Sequence, residues 1–166
     1  MSHPPSVSGS AGDRVDVRGP RFAAWLTSVV LILVLITAAV STPVAAVLIA
    51  AQAIVFALGA AAGPRRSPYG WIYGRFVAPR LGPAPDTEPT APLRFAQLVG
   101  GVFAVLSVIG FVAGSTVVGA IFAGFALFAA FLNAAFGICL GCLLYPFIQR
   151  LTDRPTASTD ASTPSR

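Results

Sequence analysis

Charged side chains are scarce in this 166-residue chain: they make up 10% of it, and none of them is lysine. Soluble domains carry roughly 25%. No Asp, Glu, Lys or Arg occurs in 22–64 or in 95–149, so within these runs there is no carboxylate to serve the proton relay or ion site of a pump. Histidine occurs once, as His3 in a polar terminal stretch, and cysteine twice. Two thiolates are half of a tetrahedral zinc site, so no metal centre is expected from one chain. No P-loop, nucleophile-elbow or metalloprotease pattern is present. Nor is there a basic helix or RNA-binding motif, which excludes nucleic acid as the partner of the +5 net charge.

What is abundant is apolar: 55% of the residues. Each uncharged run far exceeds the roughly 20 residues that span a bilayer and must hold two crossings. In the first, Ser41, Thr42 and Pro43 divide the run, because Pro is tolerated in a helix's first turn. In the second, Gly114 ends one helix and Ser115 or Thr116 caps the next. The expected fold is all-α, a four-helix transmembrane bundle of two tandem hairpins. Its helices are expected near 22–40, 43–62, 95–113 and 117–145, with a linker over 63–94. The membrane domain is then 21–151, and the Ser-, Pro- and Thr-rich tails 1–20 and 152–166 are expected to be disordered.

The eleven cations are all arginine and fall on one side of this topology: before the first helix, in the linker and after the last helix. Both hairpin tips lack them. The positive-inside rule then predicts an inner (plasma) membrane protein with both termini and the linker in the cytoplasm, its arginines against anionic headgroups of the lipid bilayer. The first apolar run is too long for a cleaved signal peptide.

The halves look alike. "RFA" opens the first and third helices at Arg21 and Arg94, "ST" marks both tips at Ser41 and Ser115, and "RL" follows both returning helices at Arg80 and Arg150. A parallel duplication predicts a pseudo-two-fold axis along the membrane normal; coincidence in an Ala-, Val- and Gly-rich sequence is the alternative.

Both cysteines lie in "FGICLGCLLYP", spaced Cys-x-x-Cys at Cys139 and Cys142. About 20 residues of helix from Thr116 reach the arginine side near Phe136, so the pair is expected at the cytoplasmic interface. There, a permanent structural disulfide is disfavoured, and a pair that cycles or accepts sulfur fits better. Asn133, Gly137 and Gly141 form an i, i+4, i+8 stripe expected to pack against a neighbouring helix. Tyr145 and Pro146 mark its end. Depth alone makes Cys139 the buried, resolving sulfur and Cys142 the exposed one. Gln52, Gln97 and Asn133 are read as interhelical hydrogen-bonding groups, and Tyr69, Trp71 and Tyr73 as interfacial anchors.

The segments "VDVRGPRFAAW" (15–25), "PRLGP" (79–83), "APLRFAQLVGGVF" (91–103) and above all "LNAAFGICLGCLLY" (132–145) resemble the bacterial integral membrane family catalogued as domain of unknown function 4395 (DUF4395). Members of that family are encoded beside, or fused to, thioredoxin-like and sulfurtransferase domains, and the resemblance implies such a context here. The resulting expectation is a membrane thiol-redox or sulfur-relay protein using Cys139 and Cys142, with Asn133, Gly137, Gly141 and Tyr145 supporting. Its partner would be a thioredoxin-like or rhodanese-like protein, and it would need no cofactor. A non-enzymatic scaffold with inert cysteines is the alternative. A homo-oligomer stays open, since a zinc site would take four sulfurs from two chains.

Overall fold

The structure, a computed structural model, describes residues 14–139 together with Leu143, Leu144 and Phe147. In chain order these form β1 (Arg14–Asp16), α1 (Arg18–Ala38), α2 (Thr42–Ala62), a 3-10 turn (Pro64–Arg66), α3 (Pro68–Ile72), a π-helical turn (Tyr73–Val77), α4 (Ala78–Leu81), β2 (Thr87–Pro89), α5 (Thr90–Val112) and α6 (Thr116–Phe136).

Backbone polar groups have no partner in lipid, so an uncharged apolar run closes its hydrogen bonds within itself and becomes a helix. α1, α2, α5 and α6 are each long and apolar enough to cross a membrane; 21 residues rise about 31 Å, the thickness of a hydrocarbon core. α1 packs on α2 and α6, and α5 packs on the same two. The four therefore close a ring of antiparallel neighbours. The described arginines lie at one end of the ring and the two hairpin tips at the other, which makes this a multi-pass membrane protein.

The interior is filled by Leu31, Val34, Ile49, Phe56, Phe111 and a set of alanines, all buried. Large apolar side chains such as Val29, Ile36, Val47, Ile109 and Phe128 cover the outside, as suits a lipid-facing surface. Small residues set the helix spacing. A Cβ at Gly110 would lie 2.6 Å from the backbone nitrogen of Gly119, so α5 and α6 touch backbone to backbone there. Ser107 Oγ donates to Gly119 O at 2.7 Å across the same contact.

The tips follow the expected chemistry. Gly114 takes φ +83° at the end of α5, and Ser115 accepts from Val118 N–H as the N-cap of α6. Across the bundle, Thr42 Oγ1 lies 3.1 Å from Thr116 Oγ1, 74 residues further on. These are the corresponding threonines of the two "ST" tips, and their meeting on the ring's diagonal is what a two-fold axis between the halves requires.

Two expectations need correction. The fourth long helix ends at Phe136, not near 145: Gly137 adopts the left-handed conformation, φ +70°, and its N–H donates to Asn133 O at 3.1 Å. That is a helix cap, which glycine forms without Cβ strain. The expected disordered tail 1–20 is ordered from Arg14. β1 pairs antiparallel with β2, Val15 opposite Glu88, and α1 begins at Arg18. The linker folds back as short helical turns over the arginine end of the ring.

Candidate functional site

Two side-chain ties, from Tyr69 and Tyr73, fasten the linker to the rest of the fold. Ser67 caps α3 by accepting from Gly70 N–H at 3.1 Å, and this orients the two tyrosines that follow. Tyr69 OH donates to Gln52 Oε1 at 2.7 Å, while Gln52, only 1% exposed in the middle of α2, donates to Thr27 Oγ1 at 3.4 Å. Tyr73 OH donates to Asp16 Oδ2 at 2.7 Å, and Asp16 Oδ1 accepts from Arg18 N–H at the start of α1. Burial, and then the Asp16 hydrogen bond and charge, push the Tyr73 phenol up to about 12. Burial also raises Tyr69 and Glu88. Both tyrosines thus act as hydrogen-bond donors, to Gln52 and to Asp16. Trp71 between them is 61% exposed.

Several arginines serve backbone carbonyls. Arg94 Nε and Nη2 donate to Ala60 O and Ala61 O, each at 2.7 Å, which satisfies the last carbonyls of α2 and complements its dipole. Arg14 donates to Thr87 through Oγ1 and O, Arg65 to Arg14 O and Arg18 to Leu81 O.

Beneath this cover lies a cavity of about 790 Å³. Its deep walls are apolar, formed by Phe56, Val99, Gly100, Phe103, Phe125 and Phe128; its mouth carries Asp16, Arg65, Ser67, Tyr73 and Arg75. Gln97 and Asn133 line it between these zones. Neither carboxamide makes a side-chain hydrogen bond among the described residues, yet neither is sealed from contact. Both open onto the cavity, where interhelical bonds had been expected.

Cys139 is half-buried in the cavity wall, two residues past the cap at Gly137, and is disulfide-bonded. Of the expected site residues, Cys139 and Asn133 thus share one cavity. Gly137 stands beside it but not as a packing residue: the nearest atom to a Cβ built there is Arg21 Cζ at 3.9 Å. The Asn133–Gly137–Gly141 packing stripe is broken at this cap, and close helix contact falls instead at Gly110 and Gly119. Cys142, Gly141 and Tyr145 lie outside the described residues. Sequence reasoning missed Asp16, Ser67 and Tyr73 as residues lining one cavity with Cys139; the polar, aromatic stretch "SPYGWIYGRF" after α2 was the signal for the last two.

No curated protein and no solved structure matches the chain. A family profile described as "Domain of unknown function (DUF4395)" matches residues 15–150, from β1 to beyond the cysteine segment and so nearly all of the described fold, and the chain belongs to that family.

Proposed function

We propose that this membrane protein is a thiol relay: Cys139 and Cys142 form a redox or sulfur-accepting pair that exchanges with a soluble thioredoxin-like or rhodanese-like protein at the cytoplasmic face of the plasma membrane. The observation that carries this reading is the disulfide-bonded Cys139 in a cavity wall, just beyond a helix that stops at Gly137. Within a regular helix, residues three apart direct their Cβ atoms poorly for a disulfide; ending the helix first removes that restraint. The arginine-rich end supplies positive potential, which favours the thiolate, and by the positive-inside rule it supports the cytoplasmic assignment. Exchange follows the usual course: a partner thiolate attacks one sulfur, the other leaves as thiolate, and a second partner thiol resolves the mixed disulfide. In the sulfur-accepting mode, a thiolate of the pair takes the outer sulfur of a partner persulfide and the partner leaves as thiolate.

Mixed-disulfide trapping tests this. A chain with Cys139→Ser, leaving Cys142 alone, should accumulate a dithiothreitol-sensitive adduct with a thioredoxin-fold protein whose own resolving cysteine is removed, and the double serine variant should not. A double serine variant that fully complements a deletion strain would instead support the scaffold reading, whose specific support is the exposed Trp71–Phe76 edge-to-face pair on the linker.

A further inference from the structure

We propose that the 790 Å³ cavity is a binding site for a lipid-soluble quinone, which serves as electron acceptor for the thiol pair ending at Cys139; this rests on the relay reading above. Four observations converge on that class of ligand. The cavity volume lies within the range of small-molecule pockets, about 300–1,000 Å³. Its deep walls are aromatic and aliphatic, and two of them, Phe125 and Phe128, are also 54% and 59% exposed on the outer face of α6. The pocket therefore communicates with the surface that lipid covers, so an apolar molecule can reach it sideways from the bilayer.

The polar groups in the body of the cavity are neutral. Gln97 and Asn133 each offer an amide NH₂ and a carbonyl without a side-chain hydrogen bond among the described residues. A carboxamide suits both states of a quinone, since it donates to the quinone carbonyl and accepts from the quinol hydroxyl. From Asn133 back to Phe125, α6 rises about 12 Å, room for a ring near the carboxamides and the start of an isoprenoid tail along Phe128 and Phe125. An anionic lipid headgroup would need a cation at that depth, whereas Arg65 and Arg75 stand at the mouth, with Arg65 already donating to Arg14 O. The disulfide at Cys139 lines the same space, which selects a redox-active occupant from among neutral amphiphiles. The reaction balances without another reagent: two thiols lose two protons and two electrons to form the S–S bond, and the quinone oxygens take both pairs to become quinol.

The test uses the full chain in phosphatidylcholine nanodiscs, reduced and desalted, then titrated with decylubiquinone or menaquinone-4, whose fully substituted rings do not add thiols. Trp71 in the wall reports binding by fluorescence quenching, and the ultraviolet difference spectrum reports quinol. The expected result is saturable quenching and one quinol formed per chain, with binding retained but quinol lost in Cys139→Ser. Gln97→Leu and Asn133→Leu should each weaken quinone binding at least tenfold. Helical content and melting check that each variant folds, and the wild-type stoichiometry needs no variant. Thiols oxidised by thioredoxin disulfide but by neither quinone would overturn this proposal and leave the relay standing. Quinone binding equal in wild type and both Leu variants would overturn the site, and thiols inert to quinone and thioredoxin alike would sink both readings.

Discussion

Gly110→Ala adds one methyl where the backbone of another helix already stands. The new Cβ would lie 2.6 Å from Gly119 N and 2.9 Å from Gly119 Cα, about 1 Å inside ordinary contact for non-bonded heavy atoms. Backbone cannot rotate away as a side-chain tip can, so α5 and α6 must separate by about that distance. Separation stretches the 2.7 Å Ser107–Gly119 bond, worth about 0.6 kcal/mol for an interhelical bond in a membrane protein. Overpacking adds about 1–3 kcal/mol, against which alanine's better helix propensity returns up to about 1 kcal/mol. A net loss of about 1–2 kcal/mol is expected. Gly124→Ala is the control, because a Cβ there meets nothing within 4 Å and only the propensity gain remains. Unfolding by graded sodium dodecyl sulfate in mixed micelles, followed by circular dichroism, should move the two variants to opposite sides of wild type. Equal midpoints for Gly110→Ala and Gly124→Ala would refute the claim that backbone contact at Gly110 and Gly119 sets the spacing of the second hairpin.

Other perturbations probe the arginine end. Gly137→Ala places a Cβ at φ +70°, which costs about 1–2 kcal/mol; the cap should weaken and disulfide formation at Cys139 slow several-fold, read by alkylation after acid quench, and an unchanged rate would detach the cap from the thiol chemistry. The Tyr73 phenol is held up to about 12 against an ordinary value near 10, so the unfolded chain loses this proton first as pH rises. Stability should be constant below pH 10 and decline from 10 toward 12, a window in which the lysine-free sequence adds few other titrations; the decline should be smaller in Tyr73→Phe. For orientation, single cysteines at Val40 or Ala113, in a cysteine-free background, should react with an impermeant maleimide from outside intact cells while one at Ala84 does not, and the reverse pattern would invert the topology.

The parts of the fold imposed by lipid were legible in the sequence, and the parts set by tertiary contact were not. Uncharged runs of the observed length had to be paired helices, and Gly114 with Ser115 gave a local turn signal that needs nothing from the rest of the chain. The linker's fold depends on Tyr69 reaching Gln52 and Tyr73 reaching Asp16, pairs 17 and 57 residues apart, and no periodicity encodes such distances. Gly137 was ambiguous for another reason. A glycine inside a small-residue helix face and a glycine that stops a helix look the same in one dimension, and only the positive φ tells them apart. Gln97 and Asn133 were recognised as the strong polar groups of their spans, yet whether a carboxamide bonds a neighbouring helix or opens on a cavity depends on the gap between helices. That gap is fixed elsewhere, at glycines such as Gly110 and Gly119.

Differences between the two hairpins account for why the cavity has polar groups on one side. Thr42 and Thr116 correspond, 74 residues apart, and the capping glycines Gly63 and Gly137 keep the same separation, each with positive φ at the end of its helix. Arg94 and Arg21, one residue closer, stand at those two ends, Arg94 on the α2 carbonyls and Arg21 beside Gly137. Under this correspondence Gln97 of α5 matches Ala24 of α1, and Asn133 of α6 matches Gly59 of α2. Had both halves carried these residues, each of the four helices would hold a carboxamide and the polar groups would surround the axis. Instead the second hairpin carries both amides while the first has Ala24 and Gly59 at the matching places, and the pair falls on α5 and α6, which are neighbours. Those same helices supply Phe103, Phe125 and Phe128 to the cavity wall, so polar groups and lipid-facing aromatics converge on one flank. The chain beyond the caps diverges in the same sense: after Gly63 it turns back as a cover tied down by Tyr69 and Tyr73, and after Gly137 it delivers Cys139 to the cavity. Two hairpins supply the ring, and the residues in which they differ build the pocket.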